Sequence, residues 1–98
     1  MPTIKFHPAA RNEAKKARQW YARRSQSAPI RFMAELDHAV EEVASNPDRW
    51  AAYLHGTRCY KLGRFPYVLV YALQNGIIEI YAVAHTSRRP GYWRRRLR

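Results

Sequence analysis

YVLVYALQNGIIEIYAVA, residues 67–84, decides the fold. Two runs rich in β-branched and aromatic residues flank Asn75-Gly76, a dipeptide that readily takes the positive φ angles of a type I′ turn, so the stretch predicts a tight antiparallel hairpin. On the first of its strands Val68, Val70 and Ala72 alternate with Tyr67, Leu69, Tyr71 and Leu73. Both faces are therefore apolar, which places the strand centrally in a sheet.

Working outward toward the N-terminus, RCYKL (58–62) reads as a further strand, and DRWAAYLHGT (48–57) reads as a connector around Gly56. IRFMAELDHAVEEVASNP (30–47) brings Phe32, Leu36, Val40 and Val43 onto one stripe and is stopped by Asn46-Pro47, the pattern of an amphipathic helix. RRSQSAP (23–29) precedes it, with Ser25 or Ser27 as the cap and Pro29 suited to the first turn. Ahead of that break, Ala10, Ala14, Ala17, Trp20 and Tyr21 recur at spacings of three and four while Arg11, Lys15, Lys16 and Arg18 point elsewhere, giving a helix with a basic outer face. TIKFHP (3–8) alternates and ends at Pro8, a first strand. The order β-α-α-β-β-β describes an α+β domain in which a helical hairpin, basic helix against acidic helix, covers one face of a mostly antiparallel sheet. The other face is expected to stay open and to collect Arg and Lys.

The chain's 98 residues suit one domain, 1–98, with a basic tail over 88–98. Eighteen Lys plus Arg against seven Asp plus Glu leave a net charge of +11, a field that draws in polyanions. Nucleic acid is the natural partner; a membrane is not, because no run approaches 18 apolar residues. The opening lacks the apolar core of a secretory signal, so a cytoplasmic protein is expected. The single Cys59 reads as a small hydrophobe in a strand rather than a reactive thiol. His7, His38, His55 and His85 are too dispersed for a local ligand motif, and neither metal nor cofactor is expected.

LGRFPYVLVY (62–71) and AVAHTSRRPGYWRRR (82–96), with WYARRS (20–25) and RFMAELDHAVEEVASNP (31–47) ahead of them, make the chain resemble the RelE/ParE superfamily of toxins from bacterial type II toxin–antitoxin systems. The resemblance covers nearly the whole chain. It implies a compact toxin neutralised by an antitoxin whose C-terminal segment wraps round it. It also implies one of two targets: RelE-like members cleave mRNA, often on the ribosome, and ParE-like members poison DNA gyrase. By resemblance to the nucleases, Arg64, Arg89, Tyr92 and His85 are the nearest matches to the catalytic set, while RRPGYW (88–93) is similar to the ParE branch.

The chemistry of each candidate can be stated in advance. Cleaving RNA without a metal needs a base, an acid and cations on the phosphate. His85 could be base or acid near neutral pH, and Tyr92 an acid or a stacking platform. Arg supplies a fork of donors that matches phosphate oxygens, so Arg58, Lys61, Arg64, Arg88 and Arg89 are expected to converge on one cleft, with Arg94, Arg95 and Arg96 as further nucleic-acid or antitoxin contacts. Structural roles stand beside these. His85 can simply bond to backbone at a strand end, Tyr92 and Trp93 can anchor the tail on the sheet, and the arginines 94–96 and 98 can be a solvated run, mobile until something acidic arrives. Trp20 and Trp50 are read as core or interface residues. A basic DNA- or RNA-binding module without toxic action is the alternative to either toxin.

Overall fold

In the computed structural model, which describes residues 2–97, the hairpin forms as the sequence predicts. Strands β4 (Tyr67–Gln74) and β5 (Ile77–His85) pair antiparallel from Tyr67 opposite His85 to Gln74 opposite Ile77. Asn75 and Gly76 turn with φ of 52° and 75°, both positive as a type I′ turn requires. The register slips once: Val70 faces Ala82 but Tyr71 faces Ile80, leaving Tyr81 as the extra residue of a β-bulge. The slip lets Leu69 and Tyr71 on one strand, and Ile78, Ile80 and Val83 on the other, share a single core.

β1 (Thr3–Phe6) lies parallel to β5 on one side of the hairpin; β3 (Arg58–Lys61) and then β2 (Ala51–Ala52) lie antiparallel on the other. The resulting order, β1-β5-β4-β3-β2, puts β4 at the centre, where its two apolar faces belong. β2 falls inside the stretch read as a connector. Two alanines carry no alternation, so only the pairing with Cys59 and Arg58 reveals them as strand.

Helices α1 (Pro8–Ala22) and α2 (Ala28–Ser45) pack on one face. Pro8 starts α1 behind His7, whose Nδ1 accepts the Ala9 N–H at 3.0 Å. For α2 it is Ser25 whose hydroxyl accepts the N–H groups of Ser27 and Ala28, both at 3.2 Å, and Ser27 caps without its side chain. Ala10, Ala14 and Ala17 give α1 a flat buried side, while α2 inserts Phe32, Leu36, Ala39 and Val43. The Phe32 ring meets Tyr21, Phe65 and Tyr67 at centroid distances of 5.5, 5.3 and 5.4 Å, a cluster whose geometry adds to its area. Trp50 packs edge-on to Tyr60 at 4.6 Å and donates from Nε1 to the Glu42 carbonyl, an interior role as expected. Of the two roles expected for Trp20, core or interface, the core is excluded. Trp20 is 48% exposed, with the Arg24 guanidinium 3.5 Å over its ring.

The second face of the sheet is not open. Past β5 the chain turns at Pro90-Gly91, where Gly91 takes φ of 82°, and lays Trp93 on Val70, Ala82 and Ala84. Trp93 is 1% exposed. Alanines at 82 and 84 leave room for an indole, so an apolar plug covers the area where basic residues were expected to gather. No helix among the described residues is long and apolar enough to cross a membrane.

Candidate functional site

β1 ends at Phe6, where the His7 N–H donates to the Ile80 carbonyl at 2.9 Å before the chain leaves the sheet for α1. From there β5 runs on with no strand beside it on that side among the described residues. Its Tyr81 carbonyl and Val83 N–H would be unpaired backbone groups on a bare edge, a costly arrangement away from water. Side chains from α1 and the tail supply the missing partners. Glu13 Oε1 accepts the Val83 N–H at 3.0 Å, and Arg96 Nη1 donates to the Tyr81 carbonyl at 2.9 Å. Arg96 also grips Glu13 with both forks, Nη1 to Oε1 at 2.9 Å and Nη2 to Oε2 at 3.0 Å, and the Tyr92 hydroxyl donates to Oε2 at 2.6 Å. The two charged side chains are only 15% and 18% exposed. Burial, and then the hydrogen bond to Glu13, push the Tyr92 pKa far above its usual value, so its proton stays on the hydroxyl.

This clasp corrects the picture of a mobile arginine run. Arg96 is spent on Glu13 and the sheet edge; Arg94 and Arg95 are exposed on a 3₁₀ turn (Arg94–Arg96), and Arg98 lies outside the described residues.

Where α1 passes the end of β5, a cleft of about 430 Å³ opens, with Lys16, Trp20 and Tyr21 on one wall and Tyr67, His85, Arg88 and Tyr92 on the other. His85 Nδ1 accepts the Ser87 N–H at 3.0 Å and lies 2.7 Å from the Ser87 hydroxyl, while its ring stands edge-on to Tyr67 at 5.1 Å. With Nδ1 an acceptor, the neutral ring carries its proton on Nε2. The Arg88 guanidinium stacks 3.9 Å over the Tyr92 ring. A smaller recess of about 140 Å³ on the tail side shares His85, Arg88 and Tyr92 and adds Arg89 and Trp93.

Of the nuclease-like set, His85, Arg89 and Tyr92 therefore meet at the junction of β5 and the tail, whereas Arg64 lines neither recess. Its N–H is bound to Glu35 Oε1 on α2 at 2.8 Å. Lys61 and Arg58 also hold backbone: Lys61 Nζ donates to the Leu62 and Phe65 carbonyls at 2.7 and 2.8 Å, closing the turn between β3 and β4, and Arg58 donates to the Trp50 carbonyl at 2.7 Å. The expected convergence of all five cations is replaced by Lys16 and Arg88 facing each other across the cleft. Glu13, Lys16 and Trp20 escaped sequence reasoning. A signal for Glu13 was present: it is the single acid of α1, set among Arg11, Lys15, Lys16 and Arg18.

Two helices on a mixed five-stranded sheet, with a C-terminal tail sealing the far face, place the chain in the α+β class that the RelE/ParE resemblance implies. The sequence profile of the family described as "ParE toxin of type II toxin-antitoxin system, parDE" matches residues 4–90, and the chain belongs to that family. It is thus a toxin of the RelE/ParE superfamily, and an antitoxin is its partner. No curated protein sequence matches it closely. Among solved structures, a chain of the chromosomal ParDE TA system from P. aeruginosa is similar at a TM-score of 0.65 and 18% identity, covering 87% of this chain and 96% of that chain. At that identity the likeness is one of fold.

Proposed function

We propose that this toxin acts by binding, holding DNA gyrase on its cleaved DNA, and not by cutting mRNA. The observation that carries the reading is the state of Tyr92. Its hydroxyl donates to a carboxylate already held by Arg96, and burial keeps its proton in place. A general acid must give that proton up during turnover. Arg64, which the nuclease reading requires beside His85, belongs to a turn tied to α2 instead. What the β5–tail junction does offer is exposed charge: Arg88, Arg89, Arg94 and Arg95 lie in the open around a rigidly anchored strand end, a surface suited to phosphates or to an acidic protein. An antitoxin segment rich in acid would neutralise the toxin by covering the same charge.

Gyrase supercoiling assays test this directly. Purified toxin is expected to stop supercoiling and accumulate cleaved DNA, and to leave message intact on translating ribosomes. Unaffected gyrase at saturating toxin, with mRNA cut at defined positions, would reverse the assignment.

A further inference from the structure

The cleft between α1 and β5 has a helix wall that the clasp and the tail do not need, and a tail wall in which Tyr92 also serves the clasp. Trp20 is 48% exposed on a helix whose buried side is alanine, with its ring edge-on to Tyr21 at 5.1 Å and much of its surface left to the cleft. Arg24 fixes it, stacking over the ring and donating Nη1 to the Trp20 carbonyl at 3.1 Å. Across the gap stands a second stack of the same kind, Arg88 on Tyr92. Lys16 adds a cation on the helix wall, and Tyr21 and Tyr67 add ring area. Glu13 also borders the cleft, but its two oxygens are occupied by Arg96, Tyr92 and the Val83 N–H, so its charge is compensated. At about 430 Å³ the space falls within the ~300–1,000 Å³ range of small-ligand sites.

Aromatic faces interleaved with cations are the chemistry that holds an unstacked base and its flanking phosphates, because every base presents a π-face and the backbone follows the positive charge. We infer that this cleft grips a single-stranded nucleic acid, one base entering between the Trp20 ring and the guanidinium of the Arg88–Tyr92 stack while Lys16 takes a flanking phosphate. A duplex is excluded by its stacking, since its bases would have to be extruded first. The inference deepens the reading of a toxin that holds cleaved DNA, which needs a grip on an exposed strand, yet it can fail separately: it is measured without gyrase.

Fluorescence anisotropy of end-labelled 12-nucleotide DNA and RNA strands, the same DNA as a duplex, and a glutamate peptide of equal charge as competitor tests it on the full chain. Single strands of either sugar should bind at least about tenfold tighter than duplex, the tighter sugar naming the source. Trp20→Ala, at an exposed position where folding is safe, should weaken single-strand binding fivefold or more, as expected for one stacked base. Lys16→Ala should lower the salt dependence by about one phosphate. Equal binding of duplex and single strand, unchanged affinity in Trp20→Ala, or displacement by the glutamate peptide at equal concentration would each overturn the inference.

Discussion

The two faces of the sheet are covered by different means. On one side α1 and α2 distribute the work over many apolar contacts, from Ala10 to Val43, with four aromatic rings at the centre. On the other a short tail relies on one indole, Trp93, and on one carboxylate, Glu13, reached from the helix layer around the sheet edge. The contrast teaches where the molecule is vulnerable. A distributed core yields gradually to substitution, whereas a cover held at two points comes off whole.

The strongest way to break that comparison is Trp93→Ala. Loss of a buried indole costs about 3–5 kcal/mol, and with the anchor gone trypsin should cut at Arg94 and Arg95 under conditions where the parent chain resists. Phe32→Ala, of comparable cost, should leave the tail protected; tail cleavage in that variant would erase the distinction between the faces. Glu13→Ala comes next, at roughly 2–3 kcal/mol by denaturant unfolding, because it strands the Arg96 charge, the Tyr92 hydroxyl and the Val83 N–H together.

A smaller effect sharpens the picture at high pH. Burial raises both Tyr71, to about 12 from 10.0, and Tyr92. The folded state therefore keeps protons that the unfolded chain releases, so this contribution is full below about pH 10 and is lost as pH rises through 12. Melting temperature should fall across that window, and less steeply in Tyr92→Phe, which loses about 1 kcal/mol at neutral pH. Smallest of all, Arg94→Ala and Arg95→Ala should alter stability by less than about 0.5 kcal/mol. Under the proposed action on gyrase, inhibition of supercoiling is the measurement in which those two would register.

The helix side was legible in the sequence because its signals are periodic. Alanines at 10, 14 and 17, the stripe from Phe32 to Val43, and Asn75-Gly76 each announce an element through neighbours in the chain. The tail side was not, since its decisive contacts join residues with no local pattern. Glu13 meets Arg96 from the far end of the sequence, and Ala82 and Ala84 look like ordinary strand residues until an indole is found on them. The candidate site divides the same way. His85 and Tyr92 were found from residue type and position, and the backbone bond offered as His85's structural role is present in Ser87. Trp20 was read as core or interface, and the sequence did not choose between them because a helical stripe records which residues share a face and says little about how far burial extends along it.

The parallel pairing of β1 with β5 also carries a consequence in time. During synthesis the first strand emerges early and must wait for its partner, and the Glu13 carboxylate waits longer still, until Arg96 has been added and threaded into the open. At ordinary rates of translation that delay is on the order of ten seconds. Until the sheet closes, the strand end that carries Arg88 and Arg89 has no fixed shape. An antitoxin already present meets the newborn chain before that end has taken its shape.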